Sequence, residues 1–287
     1  MKLVRYSILY IIGLLTIVLT ACNGQSGDRP TIAVSIEPQR YLLEQIAGDR
    51  WEVVTLLDRG ADPENFDPSM QTLKKASDAK AYFRMGHMAF EDNIIDRMSG
   101  EQKMTIVDTS KGIVPLTDTH NHDGHVHEFD PHVWSSVKSA KVIAANMYQA
   151  LLDIDPEHAE YYTTNYNELA EKLEALDREL AETLLTSEGK AFLVWHPSLS
   201  YFARDYNLRQ IALGSGDSKE TSALEMKHNI EEARESGATV MFVQPEFDYR
   251  KSEDLARQTG THTVTINPMS YNWDQEMRLT AKAIAGE

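Results

Sequence analysis

The feature that most narrows the choice of fold is a run in which Tyr162, Tyr166, Leu169, Leu173, Leu176, Leu180 and Leu184 recur at spacings of three or four. It follows a break at Asp155-Pro156. This spacing draws one apolar stripe along a helix of roughly eight turns, at about 3.6 residues per turn. The stripe alone suits a core helix or a coiled coil equally, so its flanks decide. Before it, strand-like runs at 31–36, 52–57, 80–85 and 104–107 alternate with helical runs through Tyr41–Ile46, Leu73–Ala76 and 90–98, the second capped by Ser69. A further helix spans about 136–152. After it the alternation restarts, with strands at 190–195, 210–213, 239–243 and 263–266 and helices at 224–236, 252–259 and 273–284. Such alternation predicts parallel sheets. The expected fold is α/β, with two lobes that each hold a parallel sheet flanked by helices, joined by a long rigid spine helix. The expected boundaries are 1–22 for a leader, 23–29 for a tether, 30–155 for one lobe, 156–187 for the spine and 188–287 for the other lobe. No repeat of fixed period is visible.

Lys2 and Arg5 precede an apolar stretch from Ile8 to Leu19 that is too short for a comfortable membrane span. Leu19-Thr20-Ala21-Cys22 then resembles a bacterial lipobox, in which the cysteine carries the lipid anchor. Cys22 is the only cysteine, so it has no internal disulfide partner. The chain is therefore expected to work in the bacterial cell envelope, outside the cytoplasmic membrane and lipid-anchored to a membrane. A content of 42% hydrophobic and 25% charged residues describes a globular body, not a polytopic one. The net charge of −16 argues against nucleic acid as a partner and is compatible with attracting cations.

Histidine is concentrated in one place: His120, His122, His125, His127 and His132 fall within fourteen residues. Neutral imidazole is a good ligand for zinc and its first-row neighbours. In open α/β sheets ligands bind beyond the carboxyl ends of the strands. Glu64, His132, His196 and Asn267 sit there or in the loops that follow, two from each half, so a site built from them lies in the cleft between lobes. A lone histidine after a strand is more often structural, but two in comparable contexts favour ligation. His120, His122, His125 and His127 read as an auxiliary loop that collects metal. A zinc hydrolase is the rival class, since two histidines and a glutamate also make a catalytic zinc set. His127-Glu128 followed by His132 misses the H-E-x-x-H spacing by one residue, and Pro131 intervenes. No serine elbow, Cys-His pair or phosphate-binding glycine loop is present, so no enzymatic activity is expected.

Several short motifs agree with one another. They are Ile46-Ala47-Gly48-Asp49-Arg50 with Gly60-Ala61-Asp62-Pro63, Asp130-Pro131-His132-Val133-Trp134, His196-Pro197 through Tyr201-Phe202-Ala203 and Tyr206, Phe242-Val243-Gln244-Pro245-Glu246-Phe247, and Asn267-Pro268-Met269. Together they resemble the zinc and manganese substrate-binding lipoproteins of bacterial ABC transporters, over nearly the whole mature chain. The resemblance implies a monomeric receptor that passes a divalent ion to an ABC permease in the inner membrane. In that family a histidine at the position of His196 goes with zinc and a glutamate with manganese, and His-rich insertions occur mainly in zinc members. The chain departs from the pattern twice: Glu64 stands where histidine is usual, and Asn267 where aspartate is frequent. Glu64, His132 and His196 still suit zinc, with Asn267 a weak ligand or one acting through water. A carboxylate in place of an imidazole hardens the site, which keeps manganese and iron as alternatives. Lipoproteins of this fold have also been assigned adhesin roles.

Overall fold

The chain is described from a computed structural model covering residues 29–58, 60–63, 66–98, 104–117, 129–214, 221–245 and 249–287. Cys22 with the leader, Glu64, and the four loop histidines His120, His122, His125 and His127 lie outside the described residues.

The first sheet is parallel throughout, in the order β2-β1-β3-β4. Its strands are β1 (Thr31–Val34), β2 (Glu52–Thr55), β3 (Ala81–Arg84) and β4 (Thr105–Asp108). Helices α1 (Glu37–Ala47), α2 (Met70–Asp78) and α3 (Ala89–Met98) connect them. β1 and β3 are the central strands, and crossovers that cover both faces explain why they read as nearly unbroken apolar runs. β1 stops at Val34, two residues before the sequence suggests. The Gln39 side-chain oxygen accepts the N–H groups of Ser35 at 2.9 Å and Ile36 at 3.3 Å and turns the chain into α1. Ser69 caps α2 as expected, its hydroxyl accepting the Thr72 N–H at 3.1 Å.

Beyond β3, the fully buried Glu91 accepts the N–H groups of Met85 at 2.6 Å and Gly86 at 2.8 Å, together with the Ser35 hydroxyl. Burial pushes this carboxyl up to about 7, against the pull of those donors and of Arg84. Gly86 is at φ +91°, and a Cβ there would come within 2.5 Å of the Ser110 hydroxyl, so the turn that Glu91 holds requires glycine.

The second sheet repeats the first in topology, with the order β6-β5-β7-β8 and all strands parallel. It comprises β5 (Ala191–Val194), β6 (Arg209–Ala212), β7 (Val240–Val243) and β8 (His262–Thr265). Its helices are α6 (Ser200–Asp205), α7 (Ala223–Glu235) and α8 (Tyr249–Thr259). The duplication is one of architecture, with no sequence period behind it. The two sheets are separated along the chain by helices α4 (Val137–Ile154) and α5 (Ala159–Thr183), and α9 (Trp273–Ala285) follows the second sheet.

The striped run is α5. Its 25 residues make about seven turns, or about 37 Å at 1.5 Å per residue. It falls a turn short of the sequence expectation because Leu185–Ser187 tighten into a 3-10 turn. The break before it is chemical as well as steric. Pro156 has no N–H to offer a continuing helix, while Asp155 accepts from His158 Nδ1 at 2.9 Å and from the Tyr162 hydroxyl. Tyr162, Leu169, Leu173, Leu176 and Leu180 are buried, and α5 packs against α1, α4 and α9. Truncating one of these leucines to alanine costs about 2–5 kcal/mol by lost burial and cavity formation. Arg278 of α9 fastens the far side, forking Glu179 at 3.0 Å and reaching Asp274 at 2.7 Å. One hydrophobic core runs from Ile32 and Phe83 through Leu173 to Phe192, Phe242 and Ile284, and a smaller cluster of Leu193, Ile211 and Met241 lines the second sheet separately. Among the described residues no helix is long and apolar enough to cross a membrane.

Candidate metal centre

His132 does not directly follow a strand. It comes after the long connection from β4 and opens a 3-10 turn, Val133–Ser135, that leads into α4. Pro131 and the turn fix its backbone. The His132 carbonyl accepts from Ser135 N at 3.0 Å and from the Ser135 hydroxyl at 2.8 Å. Trp273 Nε1, on α9, donates to the Trp134 carbonyl at 2.7 Å and braces the same turn from the other side. The side chain is held as firmly. One oxygen of Asp130, Oδ1, accepts both the His132 backbone N–H at 2.9 Å and His132 Nδ1 at 2.8 Å. The Trp134 ring lies 5.0 Å from the imidazole and walls it.

An ionised carboxylate can only accept, so Nδ1 of His132 carries a proton, and in the neutral ring Nε2 is the nitrogen that presents a lone pair. Burial pushes the Asp130 carboxyl up, but the neighbouring His132, its two hydrogen bonds and the Ser200 hydroxyl outweigh this and hold it below the usual carboxylate range. Asp130 therefore stays charged and keeps this tautomer in place.

His196 arrives from the other sheet, two residues past the end of β5. Its carbonyl accepts Ser198 N at 2.8 Å, and Gln244, just beyond β7, donates to the Ser198 hydroxyl at 2.7 Å. The outcome is a pair of imidazoles with Nε2 facing Nε2 at 3.0 Å and ring centroids 4.9 Å apart. With the His132 ring neutral and its proton on Nδ1, His196 Nε2–H is the donor across that contact. Two zinc–nitrogen bonds of about 2.0–2.1 Å at a tetrahedral angle need nitrogens about 3.3 Å apart. The pair is thus about 0.3 Å from a chelating bite.

Asn267 is exposed in the turn after β8. Its Oδ1 accepts Met269 N at 3.1 Å, and its backbone N–H donates to Glu276 at 2.8 Å. The side-chain oxygen already serves the local turn, which leaves one lone pair for any other partner. Among the described residues no group of three His, Cys, Asp or Glu side chains stands ready to hold a metal. His132 and His196 are the two predicted ligands brought together there, and Glu64 lies outside the described residues.

Sequence reasoning quoted Asp130, Gln244 and Tyr201 within motifs but assigned no role at the site to them or to Trp273; the Tyr201 hydroxyl donates to the Asp130 carbonyl at 2.8 Å. A carboxylate two residues before a candidate ligand is a local signal that could have nominated Asp130. The contacts of the other three span long sequence separations and leave no local trace.

Comparison with known proteins gives consistent matches. The family model for the periplasmic zinc-uptake complex component A, ZnuA, matches residues 32–285. The zinc-binding lipoprotein AdcA of Streptococcus pneumoniae serotype 4 is 26% identical over 273 residues, covering 91% of this chain and 54% of that protein. The chain thus spans about half the length of the curated relatives that it matches first. A crystal structure of ZnuA superposes with a TM-score of 0.81 at 33% identity, covering 90% of this chain and 99% of that one. A ZnuA deletion mutant with zinc bound gives 0.80 at 34% identity, covering 90% and 97%.

Proposed function

Since the chain belongs to the ZnuA family of zinc-uptake components, we propose that it is an extracytoplasmic receptor that captures a divalent ion, zinc before others, and delivers it to an ABC importer. The observation that carries this reading is the Nε2-to-Nε2 pair of His132 and His196 at 3.0 Å, one from each half of the chain. We assign Glu64 as the third ligand and Asn267 as a weak one, direct or through water. His120, His122, His125 and His127 would collect metal near the site, and Cys22 would carry the lipid anchor. The relatives named for zinc binding support zinc, as does the imidazole pair itself. Glu64 in place of a histidine keeps manganese or iron as the second reading.

The capture step follows from the pair. In the metal-free state the His196 Nε2 proton sits between the rings. The arriving ion takes that place, and His196 keeps a single proton on Nδ1 instead, so both rings stay neutral ligands. The rings need to part by only about 0.3 Å, so a small adjustment of the lobes suffices. The lobes would be 30–155 and 188–287, with 156–187 as the strut between them. Asp130 Oδ1 is engaged by two hydrogen bonds in orienting His132, a positioning task and not that of a general base, which favours a receptor over a hydrolase.

The test is a calorimetric titration of the full chain with zinc and with manganese in competition with a strong chelator. One tight zinc site, lost in His196→Ala with the fold intact, is the expected result. Absence of any tight site would refute the receptor reading, and tight manganese with weak zinc would reassign the metal.

A further inference from the structure

We propose that Tyr201 is a positioning residue for the metal centre, clasping the chain that carries His132 to the helix that follows His196. This rests on the receptor reading above. Tyr201 lies on α6, five residues after His196, and its ring is fully buried. Its hydroxyl donates to the Asp130 carbonyl at 2.8 Å and accepts the Leu116 N–H at 3.1 Å. Those two residues are themselves paired, Asp130 N donating to the Leu116 carbonyl at 2.8 Å. One hydroxyl therefore closes a three-way junction: the chain leaving at Leu116, the chain returning at Asp130, and α6.

Asp130 is the residue whose carboxylate sets the His132 tautomer, so the clasp holds the backbone of the group that orients the ligand. The hydroxyl uses its one hydrogen and one of its lone pairs here. Burial, first of all, pushes Tyr201 up to about 12, so the donor persists at any physiological pH. The rest of α6 follows the same path. Arg204 lies over the Tyr201 ring at 4.9 Å and donates to the Val114 carbonyl at 3.2 Å. Asp205 accepts the Ser136 hydroxyl at the start of α4. α6 belongs to the second half by sequence, yet its polar contacts at 201, 204 and 205 reach into the first half. The separation of His132 from His196 is thereby set by a seam in which Tyr201 makes the contact on Asp130 itself.

The experiment compares Tyr201→Phe with Tyr206→Phe in the full chain. Tyr206 closes the same helix, but its hydroxyl donates to Asp177 on α5 at 2.9 Å and touches neither ligand's chain. It reports what loosening α6 does in general. The readouts are zinc affinity by chelator competition, the visible absorption spectrum of the cobalt(II) complex, and thermal unfolding. Tyr201→Phe is expected to weaken zinc binding by up to about tenfold, the lower end of the range for outer contacts to a ligand because Tyr201 acts through Asp130, and to alter the cobalt spectrum. Tyr206→Phe is expected to lower the unfolding temperature comparably while leaving affinity and spectrum unchanged. Wild-type affinity and spectrum in Tyr201→Phe would overturn the proposal, and so would equal losses in the two variants. A wild-type chain with no tight zinc site would overturn the receptor reading itself, a result distinct from either.

Discussion

Asp130 offers the sharpest test of how the site is built, because one of its oxygens performs two tasks. Oδ1 accepts both the His132 N–H and His132 Nδ1–H, at 2.9 and 2.8 Å. Asp130→Asn keeps an oxygen that can occupy the same position, so orientation survives and only the charge is lost. Charge-assisted hydrogen bonds are about twice as strong as neutral ones, and outer contacts to a ligand are worth about 10–100-fold in metal affinity. Loss of charge alone belongs at the lower end, about tenfold, or about 1.4 kcal/mol. Asp130→Ala removes orientation and tautomer control together and belongs at the upper end, about a hundredfold. The assay is zinc competition against a chelator near neutral pH, with thermal unfolding beside it to confirm that both variants fold. The order wild type, Asn, Ala is the signature. If Asp130→Ala bound zinc as tightly as wild type, the tautomer argument would be wrong and the imidazole would be held by packing alone.

Three further outcomes follow from the same contacts. Zinc affinity should fall on acidification, because His132 and His196 bind a metal only as neutral imidazoles, and an affinity that stays flat from neutral to acid pH, measured by chelator competition, would contradict ligation by the pair. Glu91, raised from 4.5 to about 7 by burial, binds its proton more tightly in the folded state. Its contribution to stability is therefore complete below about pH 4.5 and is lost as pH rises through about 7, amounting to about 3 kcal/mol. Chemical denaturation of wild type and Glu91→Gln across that range should show the slope in the first and its loss in the second. Deleting residues 119–127 should slow metal loading yet leave tight binding in place, because Leu116 and Asp130 already pair at the base of that segment; loss of the tight site on deletion, measured by the same chelator competition, would rule out an auxiliary role.

Much of the architecture could be read from the residues because parallel central strands are buried on both faces. Ala191–Val194 and Val240–Val243 are apolar throughout and buried throughout, so they announce themselves. The edge strands do not. β4 is Thr105–Asp108 where the sequence suggests 104–107, and β8 is His262–Thr265 where it suggests 263–266. Neither has a fully buried residue, so burial does not pin their register. α8 begins at Tyr249, three residues before its expected start, and the short α6, from Ser200, follows a turn closed by Ser198 N on the His196 carbonyl. At the candidate site, His132 and His196 were visible as residue types in the right kind of place. The clasp by Tyr201 on Asp130, 71 residues away, and the brace by Trp273 on Trp134, 139 away, were not. A single sequence records who is present, and long-range pairing is decided by the packing of α4, α5 and α9.

The shared core has a consequence for how the two histidines come to meet. His132 and His196 are 64 residues apart, and closing a loop of that length costs about 4 kcal/mol of chain entropy. Ile32, Leu173, Phe192 and Ile284 belong to one apolar cluster, so that closure is recovered only when both sheets dock on α5. Folding should then be a single cooperative event, and neither half expressed alone should acquire a native tertiary signal or half a binding site. Mixing the two halves is the only route by which fragments could restore one.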